Sequence, residues 1–321
     1  MFDKITIRAK VSSEECAHLA TLHCLQSWVN SENNKVNYRS SQYANTTGIQ
    51  VQIYNNKMTL KCSLHKYWEK HNFGELRNDT MFTISEAKSA FESLLSKNKL
   101  IASKVNIIEF ELGLNMYVSY DPITFIEKAG YVFTAKKITK EMFNDANYKK
   151  DRQRTTEKSP NYRKYYKIYD KGWEMEKKSR KKKEEHNQET KEYKLRVETV
   201  HRRYNEKADL FFSDQNIKQL VQLFYVEWKD LFFFRDVRAY KGARSSEIDR
   251  ARFIINYGTE EYLKQIKSQL SLKKITDKQY RTIREFIRDF SENEHKYKTI
   301  ISPQEKEYNM LFTKVFMLCK C

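Results

Sequence analysis

Glycine and proline are scarce in this chain, at 7 and 3 residues in 321. That scarcity excludes a fold built on many tight turns and leaves the long connections to segments rich in Lys, Asn and Ser. No run is long and apolar enough to read as a membrane span, and Met1 to Lys10 places Asp3, Lys4, Arg8 and Lys10 where a secretory leader needs an apolar core. The cysteines (Cys16, Cys24, Cys62, Cys319 and Cys321) are odd in number, and with the histidines they form no zinc-type pair of pairs. A reducing, cytoplasmic setting without a membrane partner is the expectation.

Acidic charge is also short. Against 60 Lys and Arg stand 42 Asp and Glu, a formal net charge of +18. Such an excess favours a polyanionic partner through steering and counterion release, with nucleic acid ahead of an anionic membrane surface. Composition is 40% hydrophobic and 14% aromatic, enough apolar material for one large or two modest cores.

Alternation and capping signals sketch the elements. Phe2 to Val11 alternates as a first strand, and Ser12 to Val29 reads as a helix capped at Ser12 or Ser13. Ile49 to Tyr54 and Met58 to Tyr67 flank Asn55-Asn56-Lys57 as a hairpin, placing His65 on a polar strand face and His71 in a loop. Thr83 to Glu86 has capping-box spacing for a helix carrying Ala87, Ala90, Phe91, Leu94 and Leu95. Val105 to Met116 is the clearest strand, Asp121-Pro122 starts a short helix, and Tyr193 to His201 alternates again. From Lys136 to Arg203 the chain is dense in Lys, Arg and Tyr, with a basic run at Lys177 to Lys183 that reads as a solvated helix or loop, or as a phosphate contact. Beyond Asn205 it reads as helical, with segments at Asp214 to Phe234, Thr259 to Leu270 and Thr276 to Phe290. These patterns divide the chain into an α+β part over residues 1–205 and a mostly helical part over 206–321, the latter for DNA binding or self-association.

Three strand-like segments put ionisable side chains opposite their apolar ones: Glu109 and Glu111; Tyr165, Lys167, Tyr169 and Lys171; Arg196 and Glu198. Brought into one sheet, they set an acidic site beside a tyrosine. Carboxylates of this kind hold Mg2+ or Mn2+ through oxygen, with Glu109, Glu111 and Glu198 as ligands and His65 and His71 as further candidates. A tyrosine so placed can attack phosphorus, and Lys167 or Lys171 would lower its pKa from about 10 or hold phosphate oxygens. Taken singly, each carboxylate reads equally as part of a wet face with ordinary salt bridges.

VNIIEFELGLNM (105–116), KIYDKGWE (167–174) and LRVETVHRR (195–203) resemble, in order, three blocks of the phage and plasmid replication initiation proteins related to the filamentous-phage gene II protein. LHKY (64–67) and HNF (71–73) resemble its upstream region, and the likeness spans residues 50–235. The resemblance implies an antiparallel sheet with helices packed on one face, similar to HUH-type nucleases, and a helical region after it. It implies nicking of one strand at the origin of a circular replicon in a bacterial host cell. Tyr169 would be the nucleophile, holding the 5′ phosphate and releasing a 3′ hydroxyl to a host polymerase and helicase, and Lys171, Glu174 and Glu198 its companions. Arg196 matches the Arg-apolar-Glu strand, Arg202 and Arg203 the basic residues after it, while Arg163 and Lys164 precede the tyrosine block as candidate DNA contacts. Tyr165 is a candidate second tyrosine. The chain departs from HUH enzymes in having no His-hydrophobic-His triplet. The competing readings are a non-enzymatic single-stranded DNA-binding protein and a mobilisation relaxase.

Overall fold

The computed structural model describes residues 1–29, 36–40, 48–133, 139–141, 143–144, 152–154, 164–182, 192–229 and 231–320. The fold is α+β, with a large antiparallel sheet and a C-terminal helical region. Two compact units are present: residues 1–232 with 308–321, and residues 233–307. The division falls later than the change in sequence character near residue 205. Ala208–Phe211 and Asp214–Lys229 are helical, but they bury Phe211, Phe224 and Trp228 in the first unit.

In the first unit the elements run β1 (Phe2–Lys10), α1 (Ser13–Leu22), β2 (Gln26–Val29), β3 (Val36–Arg39), β4 (Ile49–Tyr54), β5 (Lys57–Ser63), α2 (Leu64–Phe73), α3 (Ile84–Lys97) and β6 (Val105–Val118). They continue as α4 (Pro122–Ile126), β7 (Ala129–Phe133), β8 (Thr139–Glu141), β9 (Phe143–Asn144), β10 (Arg152–Arg154), β11 (Lys164–Asp170), α5 (Lys171–Lys182), β12 (Tyr193–Lys207), α6 (Ala208–Phe211) and α7 (Asp214–Lys229). The ten-stranded sheet has the order β2-β3-β4-β5-β1-β6-β12-β11-β10-β9. The β4–β5 hairpin closes through Asn55 and Asn56, both at positive φ (50° and 60°), the backbone a two-residue turn of matching twist requires.

One face of the central strands is apolar. Leu112, Leu114, Val197, Thr199, Tyr166 and Ile168 are buried on it. Phe211 of α6 packs edge-on against Phe2 and Phe110 at 5.6 and 4.8 Å, and Trp228 of α7 donates its indole N–H to Thr199 Oγ1 at 2.9 Å. A buried indole needs such a partner, and this one fixes α7 across β12.

Local chemistry ended several elements earlier than alternation indicated. The first helix stops at Leu22, and Cys24 turns the chain with φ of 47° into β2. The second hairpin arm ends at Ser63, whose hydroxyl accepts from the Lys66 N–H and caps α2. His65 therefore sits on a helix, not on a strand face.

The second unit contains β14 (Asp236–Arg238), after the boundary strand β13 (Phe232–Phe233), then α8 (Ser245–Tyr257), α9 (Thr259–Ser271), α10 (Asp277–Asn293) and β15 (Lys298–Ile300). Helix α11 (Pro303–Lys320) follows, and its residues from Tyr308 belong to the first unit. β14 and β15 pair antiparallel, and Val237, Ala251, Ile254, Ile266, Ile283, Ile287, Phe290 and Tyr297 form the unit's own core. No helix among the described residues is long and apolar enough to cross a membrane.

Candidate functional site

The other face of the central strands collects charge. Register sets Tyr165 opposite Val200, Lys167 opposite Glu198 and Tyr169 opposite Arg196 on β11–β12. On β12–β6 it sets Arg196 opposite Asn115, Glu198 opposite Gly113 and Arg202 opposite Glu109. Cross-strand partners share a face, so alternation on three strands produces one polar patch.

At its centre lies Glu198, 2% exposed. Its Oε1 accepts from the Tyr169 hydroxyl at 2.8 Å and from Arg196 Nε, while Oε2 meets the Lys167 ammonium. Lys167 also reaches Glu111 at 3.4 Å, and Lys4 reaches Glu111 at 3.2 Å. Arg196 continues to Asp3, to Asn115 Oδ1 at 2.8 Å and to the Asn78 carbonyl at 3.3 Å. The carboxylates of Asp3, Glu111 and Glu198 thus offer oxygens all within 4.8 Å of one another.

Burial and charge oppose each other here, and the partners decide the outcome. Burial alone would raise the carboxyls of Glu198 and Asp3. The cations of Lys167 and Arg196 hold Glu198 well below the usual carboxylate range, and Arg196 does the same for Asp3. Burial, and then the Glu198 charge, push the Tyr169 phenol well above 10. Lys167 is raised by Glu198 and Glu111, while Lys171 is lowered by burial and by Arg196. The resting arrangement is therefore a neutral phenol donating to an ionised Glu198.

Three carboxylates with oxygen donors only suit a hard divalent cation. Oε2 of Glu111 and Oε2 of Glu198 are each faced by an ammonium group, Lys4 and Lys167 respectively. Asp3, Glu111 and Glu198 are balanced by Lys4, Lys167 and Arg196, so a divalent ion is best accommodated when an ammonium swings out. Lys4, with 61% of its side chain exposed against 11% for Lys167, is the one free to do so.

The other sequence candidates are distributed around this centre. Glu109 shares the face but lies two residues along β6, 3.6 Å from Arg202 and outside the carboxylate group. Arg202 also lies over the Tyr165 ring at 5.1 Å. Lys171 is not on the strand: the Asp170 carboxylate accepts from the Trp173 N–H at 2.9 Å and caps α5, so the chain turns helical at Lys171. Its ammonium still points inward, to Glu174 at 2.8 Å and Asn78 at 3.0 Å. Lys164 is on the opposite face, paired with Glu227 at 2.6 Å. Arg203 is exposed with φ of 55°, and Arg163 lies outside the described residues. His71 stacks on Tyr67 at 6.2 Å on the exposed side of α2.

His65 is tied up otherwise. Thr80 donates its only hydroxyl proton to Glu69 at 2.7 Å, so the 2.7 Å contact between His65 Nε2 and Thr80 Oγ1 requires Nε2–H as donor. That nitrogen has no lone pair for a metal. Burial pushes His65 down to about 3 from its ordinary 6.5. The unfolded chain therefore takes up a proton near pH 6.5 that the folded chain refuses, and stability falls as pH drops below that value by up to about 1.4 kcal/mol per unit. Burial pushes His201 down to about 3 as well, so urea unfolding between pH 7.5 and 5 is expected to show about twice this slope, and His65→Phe to remove about half of it; an unchanged slope rejects His65 as a source.

Residues without a sequence signal complete the site. Asp3 is bulged between Phe2 and Ile5, where β1 shifts register against β6. Its carboxylate accepts from Ser63 Oγ, Asn78 and Arg196. A buried acid inside an apolar strand was the available hint. Gly113 is the second: a Cβ there would lie 3.0 Å from both Arg196 Nη2 and Glu198 Cγ and 3.2 Å from the Val197 carbonyl. Gly113→Ala is expected to cost about 1 to 3 kcal/mol in urea unfolding by displacing these groups. A cost near zero would mean the pair has slack.

No family model matches this chain, and no curated protein matches it.

Proposed function

We propose that the chain is a rolling-circle replication initiator that nicks and rejoins one DNA strand through a phosphotyrosine at Tyr169. The observation behind this reading is the Tyr169 hydroxyl held 2.8 Å from Glu198 beside the Asp3 and Glu111 carboxylates. A tyrosine ester keeps the energy of the broken phosphodiester, so a later 3′ hydroxyl can displace it and close a circle. Mg2+ or Mn2+ held by Asp3, Glu111 and Glu198 would polarise the phosphodiester and stabilise charge developing on it.

The chain's own residues supply the rest. The Tyr169 oxygen bonds to phosphorus as the bond to the 3′ oxygen breaks, the phenol proton passes to Glu198, and the departing 3′ oxygen takes a proton from water. Lys167 and Arg196 offer cations to the nonbridging oxygens. Because Tyr169 is 5% exposed, a strand reaches its hydroxyl only after the groups that cover it move aside. Along the same face of β1, Lys4 is followed by Arg8 and Lys10. These two join Lys57, Lys104 and Lys207 in an open groove with Tyr54 and no acid in its lining. Four residues of strand are about 13 Å, so Lys4 and Arg8 are spaced to follow a phosphate backbone toward the site.

Balanced charge around Glu198 also favours a second reading, in which the cluster is structural and the protein only binds DNA. Incubation with Mn2+ or Mg2+ and supercoiled DNA carrying its own origin decides between them. The initiator gives nicked circles with protein bound to one 5′ end through denaturing conditions. Retention of DNA without nicking or adduct leaves the binding protein.

A further inference from the structure

The second unit has a surface that the nicking site does not use. Helices α9 and α10 are joined by a short turn. Leu272 caps α9, Thr276 caps α10 with its hydroxyl accepting from the Gln279 N–H, and three residues lie between the caps. Both helices contribute to one core, Ile266 from α9 and Ile283, Ile287 and Phe290 from α10. Two helices sharing a core across a three-residue turn have the connection of a helix-turn-helix, whose second helix reads duplex DNA with its N-terminal residues.

The charge on α10 is arranged for that use. Ile283, Ile287 and Phe290 face inward, so Lys278 and Arg281 lie on the outer side of its first turns and Arg284 beside them, all exposed. None of the three forms an ion pair with a described residue. Asp277 also lies in the first turn, and further acids follow on the outer face at Glu285, Asp289 and Glu292.

The turn itself carries the second observation. Lys273 has φ of 54°, in the left-handed region. Its N–H bonds to the Leu270 carbonyl at 2.9 Å, and the Lys274 N–H bonds to that of Gln269 at 2.9 Å, the closing pattern of a helix that normally ends on glycine. A lysine there accepts backbone strain that glycine would avoid. With Lys274 beside it, it sets two exposed cations next to the start of α10.

We infer that the second unit binds duplex DNA through this helix-turn-helix, with Lys278, Arg281 and Arg284 of α10 facing the groove and Lys273 and Lys274 on flanking phosphates. The inference stands on this unit alone and does not rest on the nicking chemistry. It assigns the duplex to one unit, and leaves the exposed cations of the sheet groove to a single strand.

The test uses the full chain bearing Tyr169→Phe, so that no strand is cut, and reads anisotropy of a labelled duplex and of one strand of it alone. Joint replacement K278Q, R281Q and R284Q is expected to weaken duplex binding at least about tenfold. Single-strand binding is expected to stay within about twofold. Duplex affinity that stays within that range, or equal weakening on both probes, overturns the inference. Lys273→Gly provides a check that does not depend on the triple variant folding: the thermal midpoint rises as strain is relieved, while duplex affinity falls. A raised midpoint with unchanged duplex affinity removes Lys273 from the interface and counts against the inference.

Discussion

Tyr169→Phe is expected to remove DNA nicking and the covalent adduct together, by at least about a thousandfold, while leaving the chain folded and DNA binding nearly intact. The reason lies in what the hydroxyl does. It donates its proton to Glu198 at 2.8 Å, and that carboxylate keeps Arg196 and Lys167 when the hydroxyl is gone. The structural cost is that of one hydrogen bond, about 1 kcal/mol, and the ring stays packed on the sheet. The chemical cost is the nucleophile itself, for which neither a bare phenyl ring nor a neighbouring carboxylate can substitute in forming a tyrosine ester. Tyr165 is four residues away and two positions from Glu198 in register, as Tyr169 is on the other side, but its hydroxyl turns to Arg202 at 3.3 Å. An adduct of the Phe variant mapping to Tyr165 would move the nucleophile there. An adduct at neither tyrosine, with nicking retained, would end the phosphotyrosine reading.

Much of this arrangement was legible because β-structure repeats every two residues. Alternation placed Glu111, Lys167, Tyr169, Arg196 and Glu198 opposite their apolar neighbours, and β6, β12 and β11 are adjacent in the sheet. Sequence could not supply register. Glu109 and Glu111 look equivalent in VNIIEFELGLNM, yet Glu109 stands opposite Arg202 while Glu111 leans toward Lys167. Nor could it show the bulge that turns Asp3 into the carboxylate group, since an extra residue cancels the alternation that marks a face. Two errors came from helix caps, Ser63 before His65 and Asp170 before Lys171, each ending a strand whose polar pattern continued. The unit boundary had a different cause. An amphipathic stripe shows that α7 is half-buried, and only packing shows that the sheet is what buries it.

Arg196→Met is expected to lower stability by about 3 to 5 kcal/mol, the largest effect of any single change at the site. The guanidinium is 2% exposed and binds Asp3 and Glu198 at once, with Asn115 and the Asn78 carbonyl on its remaining donors. Methionine fills most of the volume but leaves two buried carboxylates short of their shared cation. Lysine recovers only part, because one ammonium cannot match a planar fork that addresses four acceptors. The pH dependence carries a sign. With Arg196 present, Asp3 and Glu198 are held below their unfolded values, so their contribution is complete above the ordinary carboxylate range and is lost as pH falls through their folded values. Without it, burial raises Asp3 while Glu198 keeps Lys167, and the folded variant takes up a proton that wild type refuses. The gap between the two proteins is therefore widest near neutrality and narrows toward pH 4, which urea midpoints across that range will show. A gap that widens instead would mean that the lost energy is packing, not charge. A buried ionic group of this kind is weak support for stability on its own, since apolar residues of similar volume often serve as well. Its presence beside Tyr169 gives the cost a second consequence: the cations that keep Glu198 ionised also keep it an acceptor that orients the phenol hydroxyl.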